Sequence, residues 1–67
     1  MPRGTVVEFD EHAGLGALEP AEGGRLPFHC TQIADGSRRI QVGAAVRYEV
    51  VPGNLGSWEA GGLEPVG

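Results

Sequence analysis

GTVVEFDEHAGLGALEP, residues 4–20, is the stretch whose reading decides the fold. It opens on β-branched residues mixed with polar ones and runs through the charged turn EHAG. It continues as glycine alternating with small apolar residues. A period of two belongs to a half-buried strand. Thr5 to Asp10 and Leu15 to Glu19 therefore read as two strands joined by a short turn, the second ending at Pro20.

The same reading extends outward. PAEGG (20–24) makes the next turn, and Arg25 to Cys30 forms a third strand. TQIADGSRRIQVG (31–43) is a longer connection, with room for one helical turn at Thr31 to Ile33. A fourth strand covers Ala45 to Val51, PGNLG (52–56) turns the chain, and a fifth starts near Trp58 and reaches about Glu64. No stretch repeats apolar residues at helical spacing for three turns. The expectation is an all-β chain, a small five-stranded antiparallel barrel forming a single domain over residues 1–67.

Composition narrows the function. A chain of 67 residues has a thin core, because a domain this small buries only about 60% of its unfolded surface. That leaves little room for a deep catalytic cleft. The net charge is −4, from five arginines against nine acidic residues. Strong non-specific binding to duplex DNA is disfavoured, since phosphate neutralisation supplies most of that affinity. Cys30 is the single cysteine and cannot close an internal disulfide, so a reducing, cytoplasmic setting is expected. No apolar run is long enough to span a membrane, and no secretory leader is expected. A monomer with no membrane attachment is expected.

Alternation assigns the faces. Val6, Leu18, Leu26, Phe28, Val46, Tyr48 and Val50 are expected to share an inner face, with Ile33 plugging one end. The outer face of the first three strands carries Glu8, Leu15, Ala17, Arg25, Pro27 and His29. Phe9 stands at the end of its strand, where alternation decides least.

On these residues the chain resembles the bacterial cold-shock domain family. GTVVEFDEHAGLGALEP is similar to the family's opening G-x-V-K-W-F-N, charged turn, K-G-F-G-F-I. LPFHCTQI (26–33) is similar to V-F-V-H-F-S-A-I, and VGAAVRYEVVPGNLG (42–56) to E-G-x-x-V-x-F-x-V with its glycine-rich turn. The resemblance implies a closed barrel of the OB type that stacks single-stranded RNA or DNA on outward aromatic rings and takes part in gene regulation. The positions of those rings are altered here. Glu8 replaces the outward tryptophan, Leu15 and Ala17 replace two phenylalanines, and Pro27 and Cys30 replace two more. The loop phenylalanine falls near Ser37 or Arg38, and Ala13 replaces the motif lysine. With stacking worth roughly 1–3 kcal/mol per base, the loss removes several kcal/mol, or two to three decades of affinity.

His29 and Phe9 are the stacking residues the resemblance leaves in place. Arg38 and Arg39 are candidates to hold phosphates or stack their guanidinium planes. Trp58 is expected chiefly to cover the barrel's end, and alternatively to act as a relocated ring or a protein-binding anchor. The candidate nucleic-acid surface is thus Phe9, Leu15, His29, Arg38, Arg39 and Trp58. Two functions emerge as expectations. One is a weak or altered single-stranded nucleic-acid-binding module. The other is a protein-interaction module presenting Glu8, Leu15, Ala17 and Pro27. No enzyme constellation is legible: strand alternation should send His29 and Cys30 to opposite faces, GLG lacks the lysine of a phosphate loop, and no metal-ligand spacing occurs. Neither a catalytic residue nor a metal or other cofactor is expected.

Overall fold

β1 (Arg3–Asp10) and β2 (Leu15–Pro20) pair antiparallel, from Gly4 opposite Pro20 to Asp10 opposite Leu15. The turn between them is fixed by Asp10: its carbonyl accepts from Gly14 N at 2.8 Å and its Oδ1 from Ala13 N at 3.1 Å. β3 (Leu26–His29) adds to β2, and a single 3-10 turn comes next at Cys30–Gln32. β4 (Ala45–Pro52) pairs with β1, and β5 (Trp58–Pro65) with β4. The computed structural model describes residues 2–34, 36, 39–53 and 56–66.

The result is one all-β, five-stranded antiparallel sheet in the order β3-β2-β1-β4-β5. Its two outer strands lie against each other without a hydrogen-bonded ladder between them. Just beyond β3, an isolated parallel bridge joins Ile33 to Leu63, with Ala34 N donating to Leu63 O at 2.8 Å. Gly62 N adds a bond to Gln32 Oε1 at 3.2 Å. Among the described residues no helix is long and apolar enough to cross a membrane.

Two bulges set the faces. In β1 the register slips between Val6 and Glu8, so Val6 opposes Leu18 while Glu8 opposes Ala17. Without that extra residue Glu8 would go with Val6 to the inner side. With it, Glu8 turns outward and Phe9 turns inward, opposite Gly16. In the β4–β5 ladder, Arg47 opposes Glu64 while Glu49 opposes Gly61. The extra residue in β5 lets Ala60 and Leu63, three positions apart, both be fully buried. Gly62 absorbs the distortion at φ +59, a backbone conformation that suits glycine.

The core is Val6, Leu18, Phe28, Ile33, Val46, Tyr48, Ala60 and Leu63, flanked by half-buried Phe9, Leu26, Cys30, Ile40 and Ala44. Six of the eight expected inner residues are buried here, and Leu26 is half-buried. Val50 is the exception. It keeps the parity of Val46 and Tyr48, yet is 50% exposed near the end of β4. The expected inner set also lacked Ala60 and Leu63, because only the bulge puts both on one side.

Candidate binding face

The outer side of β1–β3 is organised in cross-strand rows, since directly paired residues share a face. Glu8, Ala17 and Pro27 form one row, and Asp10, Leu15 and His29 the next. Leu15 is 54% exposed. Ala17 faces the same way but is only 8% exposed and stands outside the core cluster, a small residue between its taller row neighbours. Pro27 and His29 are exposed, as is Arg25 just before β3. Phe28 is buried on the opposite side.

His29 is anchored by the turn at its C-terminal side. It caps the 3-10 turn, its Nδ1 accepting from Thr31 N at 3.2 Å, with Thr31 Oγ1 at 3.0 Å. An Nδ1 that accepts from a backbone N–H leaves the proton of a neutral ring on Nε2, so Nε2–H is the donor left for a ligand. Cys30 Sγ lies 3.9 Å from the same Nδ1. This corrects the expectation that alternation separates the two side chains: β3 ends at His29, and the 3-10 turn that begins at Cys30 has no alternation.

Phe9 is half-buried, its ring parallel to that of Phe28 at 6.0 Å. It belongs to the inner side of the sheet, and reaches the outer face only as part of the wall of a depression. Trp58 is 61% exposed at the first position of β5, opposite Pro52. The expectation that it covers the barrel's end is therefore corrected: its parity is that of Ala60, but the strand there has run past the core. Arg39 is paired with Glu11 of the β1–β2 turn, Nε to Oε1 at 3.0 Å, both side chains well exposed. Arg38 lies outside the described residues.

Two depressions meet at Leu15. The larger, of about 400 Å³, is lined by Glu8, Phe9, Asp10, Ala13, Leu15 and Gly16. The smaller, of about 180 Å³, is lined by Leu15, Pro27, Phe28, His29 and Glu59. They form a shallow track with an apolar middle, carboxylates Glu8 and Asp10 at one end, and Glu59 at the other. Sequence reasoning did not find Glu59 or Asp10 as part of this face. Asp10 was readable from its parity with Glu8, both beyond the bulge, whereas Glu59 depends on how β5 approaches β3. Among the described residues, no three His, Cys, Asp or Glu side chains converge as metal ligands.

In comparison with known proteins, the chain matches no protein-family model and no curated protein sequence.

Proposed function

We propose that this chain is a binding module on a small cold-shock-type barrel of the OB kind, and that its β1–β3 face takes a segment of another protein. The barrel reading is supported by the sequence resemblance, by the strand order, and by the Ile33–Leu63 bridge where the two outer strands meet. One observation carries the functional reading. Four of the positions the resemblance assigns to stacking rings stand on one outward face, and hold Glu8, Leu15, Ala17 and Pro27. A base laid there meets an aliphatic chain and a carboxylate in place of π-faces. Each lost stack forfeits roughly 1–3 kcal/mol. Glu8 and Asp10 repel phosphates where the strand would pass.

Weak binding of single-stranded RNA or DNA is the second reading. The outward ring of His29 and the exposed Trp58 favour it. Titration with short oligo-dT and oligo-U at low salt, monitored by backbone amide shifts, separates the two. The expected result is no saturable shift at high micromolar oligonucleotide. Saturable shifts centred on Leu15 and His29, weakening steeply with salt, would overturn the protein reading.

A further inference from the structure

From the track across β1–β3 we infer the chemistry of its occupant: an extended peptide segment with the pattern basic–x–apolar–x–basic. This rests on the protein-binding reading above and names the partner that the face fits. The face is an unpartnered sheet surface whose track has a carboxylate at each end, and exposed Arg25, just before β3, lies outside the track's lining. Glu8 and Asp10 point outward from β1, and Glu59 stands at the opposite rim beside His29. Arg39, the described arginine nearest the β1–β2 turn, is engaged by Glu11. Among the described residues lining the track, an anionic ligand finds no compensating arginine, whereas a cationic one finds a carboxylate at each end.

The spacing sets the pattern. Two strand separations of about 4.8 Å take the track from β1 to β3, and Glu59 lies beyond, for a span on the order of 10–15 Å. In an extended peptide, residues i, i+2 and i+4 point to the same side, and i to i+4 covers about 13 Å. Basic side chains at i and i+4 then reach the two acidic ends. The residue at i+2 falls over Leu15, between Asp10 and His29 in its row, where the two depressions join. That middle is apolar, so an aliphatic side chain suits it and a polar one is desolvated without a partner. The shallow relief suits a backbone lying on the surface.

The test uses the full chain and a synthetic peptide of arginine–serine–leucine–serine–arginine core, with backbone amide shifts as readout. The expected result is saturable shifts at Glu8, Leu15, His29 and Glu59, weakened by added salt. The double change Glu8→Gln with Asp10→Asn should weaken binding about fivefold, the scale of losing exposed charge pairs. Asp10→Asn keeps an oxygen to accept from Ala13 N, so the turn is retained. A peptide with its two arginines adjacent, or with serine for leucine, should bind more weakly. Equal binding of the rearranged peptide at the same residues would sink the pattern and leave the protein-binding reading standing. Saturation of these residues by oligo-U in place of the peptide would sink both. No response at millimolar peptide would also overturn the inference.

Discussion

The rings of Phe9 and Phe28 lie nearly parallel, with 4° between their planes and 6.0 Å between centroids, on the strands either side of Gly16. Gly16 pairs with both, and its missing side chain is what lets Phe28 settle: a Cβ there would stand 2.5 Å from Phe28 Cζ and 2.7 Å from Glu8 O. Gly16, the last residue of the GLG stretch, thus serves ring packing on the inner side, not a ligand on the outer side.

Gly16→Ala should accordingly destabilise the fold by about 1–3 kcal/mol, the usual range for overpacking a filled core. Urea denaturation monitored by circular dichroism measures it. A change below a few tenths of a kcal/mol would mean that the rings are not seated on Gly16.

Phe28→Ala should cost about 3–5 kcal/mol, as a fully buried aromatic does. Phe9→Ala should cost less, because Phe9 is only half-buried. A double-mutant cycle between them should return a coupling of about 0.5–1.5 kcal/mol. Zero coupling would place Phe9 outward, where the resemblance put it.

Tyr48 is the single tyrosine, 1% exposed. Burial raises its pKa above the usual value, and the negative charge of Glu22 raises it further. The folded state therefore holds the phenolic proton more tightly than the unfolded one. Its contribution to stability is whole below about pH 10, the unfolded value, and is lost as pH rises through the folded one. An alkaline absorbance titration should find a midpoint above 10. Glu22→Gln should lower that midpoint without returning it to the unfolded value, since burial is the larger cause.

Trp58→Ala should change stability by no more than about 0.5 kcal/mol, because the side chain is largely in solvent. Its fluorescence should be quenched readily by acrylamide in the folded protein. Strong protection from quenching would show that the ring packs over the end of the sheet after all.

Installing rings tests the proposal that the altered ring positions weaken binding of bases on this face. Leu15→Phe with Glu8→Gln should raise oligo-U affinity about tenfold, one stack's worth plus relief of a repulsive charge. Ala17→Phe is a poorer choice, because Ala17 is 8% exposed between Glu8 and Pro27 and a ring there must displace them. Unchanged oligonucleotide binding in the first variant would shift the block to the loop.

Sequence alone determined the five strands and their approximate limits, because alternation and glycine-rich turns are local signals. It also determined that Leu15 and Pro27 face out while Phe28 faces in, since both strands keep strict parity. Three things waited on tertiary structure. The bulge after Val6 decided that Phe9 turns inward and supplied the reason why Val6 and the expected-outward Glu8, two residues apart, take opposite faces; the bulge at Gly62 placed Ala60 and Leu63 together. Each is an extra residue set by the partner strand's register, which no periodicity records. Trp58 and Val50 have inward parity, yet exposure depends on whether a core still lies beneath them, and at that end it has run out. Cys30 came to His29 because β3 stopped one residue earlier than its pattern suggested. A local period fixes which way a side chain points; only the packed sheet fixes what it meets there.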